Sequence, residues 1–232
     1  MKLNVLLTAI AITVSTGAFL HAQDAAPAVK PPVIKNLKLW LAAEAGVTKD
    51  ETGNVTAWAS QVEPKVELKQ ENGSMYPLYR KDALNGKPAL NFNGTASAIV
   101  AELPAGFEGD ITVFVVWGSS MEQVSLVQDG GNNRILSATH EKGADYVTGF
   151  QLGTGSKEIA KPSIKVGEFK TRPKLKYLAV GGMLNSETGM ANGFNMTGDV
   201  AEVLLYTEAL PAADKEAVTK YLQDKYGIAQ KQ

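Results

Sequence analysis

Apolar and polar positions alternate in short runs along most of this chain, and the period changes only near its end. Runs at 54–59, 89–93, 99–102, 110–117, 124–128, 134–139, 146–152, 175–180 and 200–206 have the alternating or continuous apolar character of strands, separated by clusters of Gly, Asn, Pro and Asp. Leu37, Leu39 and Leu41 alternate with Lys38 and Trp40. That spacing predicts a strand with one strongly buried face, and the size of Trp40 suits a covered opposite face. Residues 111–116 form an apolar run bracketed by Asp110 and Gly118, as expected of a central strand packed on both sides. Short strands with turn signals between them predict an antiparallel sandwich.

The final segment, 198–227, reads GDVAEVLLYTEALPAADKEAVTKYLQDKYG. An apolar strand runs into Pro211, which suits a first helical turn because its missing N–H costs nothing there. Ala217, Val218, Tyr221, Leu222 and Tyr226 then follow at helical spacing, and Gly227 provides a C-terminal cap. On such a stripe the two tyrosines are expected to pack on the sheet rather than to stack on a sugar.

The other end reads as an address. Lys2 is followed by a mostly apolar stretch to Leu20, and Leu20-His21-Ala22 places a small residue before Gln23, so residues 1–22 are expected to be a cleaved signal peptide. Thr13, Ser15, Thr16 and Gly17 interrupt the apolar stretch, which falls short of the roughly 20 residues that span a bilayer. Residues 23–35 are rich in Ala and Pro and predict an extended linker. A single domain over 36–228 and a short tail at 229–232 complete the expected organisation. The 232 residues carry 23 Lys and Arg against 24 Asp and Glu, so no basic excess advertises a nucleic acid. With no cysteine there is neither a disulfide nor a lipid-modified cysteine at the amino terminus.

Several motifs together resemble a known family. LWLAA at 39–43, GNVTAW at 53–58, LNGKPALNFNG at 84–94 and the terminal strand and helix resemble the concanavalin A-like, laminin-G-like domains of bacterial exported proteins. The likeness runs from about residue 37 to 228. It implies an all-β jelly-roll sandwich of two antiparallel sheets with a C-terminal helix, and mainly glycan binding or surface adhesion. The chain also departs from the family. After Trp58 it continues Ala59-Ser60-Gln61-Val62-Glu63-Pro64-Lys65, and after Asn93-Gly94-Thr95 it has Ala96, Ser97 and Ala98 where relatives frequently carry Asp.

Catalytic patterns are sparse. Glucanases of this fold place acids at alternate strand positions so that both point at one sugar. The nearest match here, Glu108-Gly109-Asp110-Ile111-Thr112, ends in Thr. Asp214 and Glu216 fall on the helix, and Asp199 and Glu202, three apart on a strand, are expected to face opposite sides. After signal removal His140 is the remaining histidine, and it reads as a solvated loop residue. Residues 149–155 are Gly-rich but lack the lysine of a phosphate loop, and read as a turn.

The binding candidates are Asp129, Asn132, Asn133 and Arg134 in the loop QDGGNNR at 128–134, whose planar polar groups suit sugar hydroxyls. Trp58 is the aromatic candidate beside them. For Trp58, as for Trp117, strand-like surroundings favour burial over stacking. No cofactor is expected: oxygen donors of the kind calcium takes lie near Asp110, Asp129 and Asp199, but none forms a calcium-loop motif. The expected protein is an exported, non-catalytic module, periplasmic, extracellular or on the cell surface, that binds a glycan or other extracellular polymer. The alternatives are a polysaccharide hydrolase or lyase with dispersed acids, and a structural surface protein that binds other proteins.

Overall fold

Among the described residues, two antiparallel sheets and a C-terminal helix build the protein. The computed structural model describes residues 29–118, 134–140, 150–153, 162–171, 174–184 and 195–229. In chain order the strands are β1 (Leu37–Ala42), β2 (Val47–Lys49), β3 (Val55–Ala59), β4 (Glu67–Lys69), β5 (Leu78–Leu84), β6 (Lys87–Asn93), β7 (Ile99–Glu102), β8 (Gly109–Gly118), β9 (Arg134–His140), β10 (Phe150–Gly153), β11 (Ser163–Thr171), β12 (Leu175–Val180) and β13 (Thr197–Tyr206). Helix α1 spans Ala212–Tyr226.

One sheet has six strands in the order β11-β8-β13-β6-β5, with β1 also on β13, and the other has seven in the order β10-β9-β12-β7-β4-β3-β2. Strand β13 holds the first sheet together. Its Asp199–Tyr206 stretch pairs with β8, while β6 takes Thr197–Val200 and β1 takes the stretch through Tyr206, end to end along the other edge.

Alternation along the strands produces two apolar layers. Leu39, Leu41, Leu90, Phe92, Ile111, Val113, Val115, Val203 and Leu205 of the first sheet meet Trp58, Leu68, Ile99, Leu136, Leu178 and Val180 of the second. The opposite face of the first sheet presents Trp40, Ala89, Phe114, Val116, Leu204 and Tyr206 to Val218, Leu222 and Tyr226 of α1. Strand β8 therefore is buried on both faces, and so is β1 around Trp40, as the sequence predicts.

The helix ends at Gly227, whose φ of 60° is left-handed and whose N–H donates to the Gln223 carbonyl. Glycine suits that conformation because it has no Cβ to clash. Pro211 sits one position outside the helix, as its N-cap residue, rather than in the first turn.

Four features differ from the sequence expectation. Part of the predicted linker packs on the domain: Pro31 is buried, the Tyr221 hydroxyl donates to the Val29 carbonyl at 2.7 Å and the Tyr206 hydroxyl donates to the Val33 carbonyl at 3.1 Å. His140 closes β9 opposite Leu175 instead of lying in a loop. Strands β2, β4, β5 and β11 also go beyond the predicted runs. The first two are three residues long, β5 carries Arg80, Lys81 and Asp82 at a sheet edge, and β11 is interrupted by Gly167. Charge on an edge strand discourages pairing with other chains and masks the apolar alternation. Within the Gly-rich stretch at 149–155, expected to be a turn, Phe150–Gly153 form β10 and pair with β9, while 149, 154, 155 and the predicted strand at 124–128 lie outside the described residues.

Candidate functional site

Of the predicted binding residues, Arg134 begins β9, opposite Gly153 of β10. Asp129, Asn132 and Asn133 lie outside the described residues. Trp58 is not a sugar platform: it has no exposed surface, packs in the core between the sheets and donates its indole N–H to the Ala42 carbonyl at 3.1 Å. A ring with both faces against side chains has no face left for a pyranose.

Backbone bonds bring the exit of the 128–134 loop to a second loop of interest. Gly181 donates to the carbonyl of Ile135, the residue after Arg134, at 2.8 Å, and its own carbonyl accepts from Met196 N–H at 2.8 Å. The neighbouring Asn195 donates through Nδ2 to the Thr95 carbonyl at 2.6 Å. The start of β9, the β12–β13 connection and the β6–β7 turn are thus fastened together at one end of the sandwich. Gly181 enables the approach. Its φ of +91° is unfavourable for other residues, and a Cβ there would collide with the Phe92 ring.

The β6–β7 turn closes on itself. Asn93 Oδ1 accepts from the N–H groups of Thr95, Ala96 and Ser97 at 3.0, 3.0 and 3.1 Å. One neutral amide thereby organises a turn in which the resembled family often has acids. Among the described residues no group of three or more His, Cys, Asp or Glu side chains is arranged to hold a metal.

Unpartnered polar atoms occur at this same end. The Trp117 indole N–H and the Asn195 Oδ1 are buried without hydrogen-bond partners. Trp117 directly precedes Gly118, where the chain leaves β8 for the 119–133 connection, and Asn195 lies against Thr95. Sequence reasoning had no signal for either, since pairing of side chains distant in sequence is not written in local pattern.

The buried acids belong to a different region. Val200 faces the core between the sheets, whereas Ala201 faces the helix, and a register shift between Val200 and Glu202 puts Glu202 on the helix side as well. Asp199, the neighbour of Val200, also turns away from the inner core and accepts from Asn91 Nδ2 at 2.9 Å. The two acids therefore share a face, contrary to the opposite-side expectation. A bulge adds one residue and cancels the parity argument.

Glu202 is fully buried and saturated. Its Oε1 accepts from Trp40 Nε1 at 2.7 Å and lies 3.1 Å from the Tyr221 hydroxyl, while Oε2 accepts from Tyr226 at 2.9 Å and faces Lys225 Nζ at 2.8 Å. Lys225 also contacts Glu44 at 2.6 Å. The Tyr221 hydroxyl has a single proton for two acceptors, Glu202 and the Val29 carbonyl. Burial, reinforced by the Glu202 charge, pushes the phenols of Tyr221 and Tyr226 well above their ordinary range. Glu44 and Glu202 are close, yet the lysine lies between them and Glu202 has no access to solvent. The arrangement holds the helix on the sheet and leaves no free acid and base for a glycosidic bond.

No helix among the described residues is long and apolar enough to cross a membrane. No protein-family model matches the chain, and no curated protein is significantly similar to it.

Proposed function

We propose that this is an exported, non-catalytic binding module of the concanavalin A-like, jelly-roll kind, and that it takes a glycan or other extracellular polymer at the end of the sandwich where β9 begins. The observation that carries the reading is the chain of contacts from Ile135 through Gly181 and Met196 to Asn195 and Thr95. Arg134 opens β9 directly before Ile135, from which that chain of contacts runs to the self-closed turn at Thr95. Sugars are bound by such fixed donors and acceptors, because every hydroxyl both gives and takes a hydrogen bond.

The polar loop at 128–134 supplies the remaining groups, Asp129, Asn132 and Asn133. The amino-terminal pattern at 1–22 supports export, and the recurring motifs from 39 to 94 support the jelly-roll reading. Against a hydrolase stands the use of Glu44, Asp199 and Glu202 as partners of Lys225 and Asn91.

The test is binding of purified residues 23–232 to a panel of polysaccharides, with calcium and with chelator, while following release of reducing ends. Saturable binding without product supports the module, and loss with chelator adds calcium to the site. Reducing ends that disappear with one carboxylate substitution overturn the non-catalytic reading. Absence of binding in both buffers overturns the glycan reading in favour of a protein partner.

A further inference from the structure

We infer that the Asn85–Gly86 step is a chemical modification site, and that its deamidation unfastens the β5–β6 hairpin from the C-terminal helix. The two residues form the turn between β5 and β6, where Leu84 pairs with Lys87, and both have positive φ, 50° and 75°. This is the tight hairpin geometry for which Asn-Gly is suited. Both residues are exposed to solvent.

The Asn85 side chain reaches outside its own hairpin. Its Nδ2 donates to the Tyr226 carbonyl at 2.7 Å and to the Gly227 carbonyl at 3.3 Å. Carbonyls in the last turn of a helix lack partners within the helix, so Asn85 supplies what α1 lacks. Leu84 is buried in the same apolar cluster as Tyr226 and Leu222, so the polar clasp sits beside an apolar one.

Glycine after asparagine leaves the following backbone nitrogen unhindered. The Gly86 nitrogen bonds to Cγ of Asn85, and the side-chain nitrogen departs as ammonia, taking the proton that the Gly86 nitrogen gives up. Solvent water then opens the succinimide at either carbonyl to leave aspartate or isoaspartate. No oxidant or cofactor enters the balance.

The sequence contains three other Asn-Gly steps; Asn192-Gly193 lies outside the described residues, and the structure separates the consequences at the other two. Asn72 accepts through Oδ1 from the Ser74 N–H at 3.1 Å, and Asn93 accepts through Oδ1 from three N–H groups. A carboxylate at either position keeps its acceptor oxygen. Asn85 acts through its amide nitrogen instead. An aspartate there has no donor and sets a negative charge against carbonyl oxygens at the negative end of the helix dipole. Conversion to aspartate is therefore tolerated at 72 and 93 and disruptive at 85.

The experiment compares thermal unfolding of the full chain with that of Asn85→Ala, Asn85→Asp, Asn72→Asp and Asn93→Asp, and maps deamidation by peptide mass after mildly alkaline incubation of the folded protein. The expected order is wild type above Asn85→Ala above Asn85→Asp, with the last lowered by about 3 °C or more, and with the other two variants near wild type. Peptide maps of the aged protein are expected to show a one-dalton gain at Asn85, with the modified fraction cut first by protease within α1. Asn85→Asp as stable as Asn85→Ala overturns the charge argument. Aged protein unmodified at Asn85 overturns the modification site.

Discussion

Lys225 Nζ lies 2.8 Å from the buried carboxylate of Glu202, and this contact ties the last turn of α1 to β13, a strand that faces both apolar layers. Charge removed from water is costly unless it is matched, and here Glu44, Trp40 and Tyr226 complete the match. Lys225→Ala leaves Glu202 buried without its cation. It is expected to cost about 3 kcal/mol or more, which corresponds to a fall in Tm of roughly 6 °C or more in a domain of this size. Glu202→Gln keeps an acceptor for Trp40 and is expected to cost less. The double variant Glu202→Gln/Lys225→Ala is expected to fall short of the sum of the single losses, as read by urea unfolding. Strict additivity would show that the two residues are not coupled.

The phenols of Tyr206, Tyr221 and Tyr226 are all pushed above their ordinary range, by burial first and by the Glu202 charge second. The unfolded chain loses these protons near pH 10, whereas the folded chain keeps them. Their contribution is therefore fully present below about pH 10 and is lost as pH rises beyond it. Tm is expected to fall steeply above pH 10. Absorbance at tyrosinate wavelengths is expected to show these tyrosines ionising only as the protein unfolds. Ionisation of all seven tyrosines in the folded protein would contradict the geometry.

The strands with clean alternation were legible because each residue's face follows from its place in the run. Leu39 and Leu41 face the second sheet and Trp40 the helix, as their spacing predicts. The acids were not legible. A single bulge near Ala201 reversed the face of Glu202, and bulges leave no mark in composition. The packing of residues 29–35 was hidden for a related reason: it depends on the hydroxyls of Tyr206 and Tyr221, far along the chain, accepting a Pro-rich segment as neighbour. At the candidate site, Arg134 could be placed at the start of a strand from pattern alone, but the link from the neighbouring Ile135 to Thr95 required Gly181 and Asn195.

Trp58 and Arg134 separate stability from recognition. Trp58→Ala opens a cavity between the sheets and abandons the bond to Ala42, so a loss of about 3–5 kcal/mol is expected in unfolding free energy. Arg134→Ala keeps the backbone of β9. Under the proposed function it is expected to weaken polysaccharide binding tenfold or more, about 1.4 kcal/mol, with Tm nearly unchanged. Affinity electrophoresis beside calorimetry distinguishes the two. An Arg134→Ala protein that binds as tightly as wild type would remove this residue from the site.

Gly181 offers the sharpest test of how the loops are positioned. Its N–H and carbonyl connect Ile135 to Met196, and its φ of +91° leaves room for the buried Phe92 ring where a Cβ would otherwise stand. Gly181→Ala must either shift the backbone, straining both hydrogen bonds, or displace the ring from a packed core. A loss of about 2–4 kcal/mol is expected, combining backbone strain with overpacking. Phe92→Leu in the same protein removes ring atoms and is expected to recover part of that loss, so the two changes are less than additive. The backbone component remains, because a smaller neighbour does not make positive φ comfortable for alanine. Full recovery would locate the whole cost in the ring contact, and no recovery would locate it in the backbone.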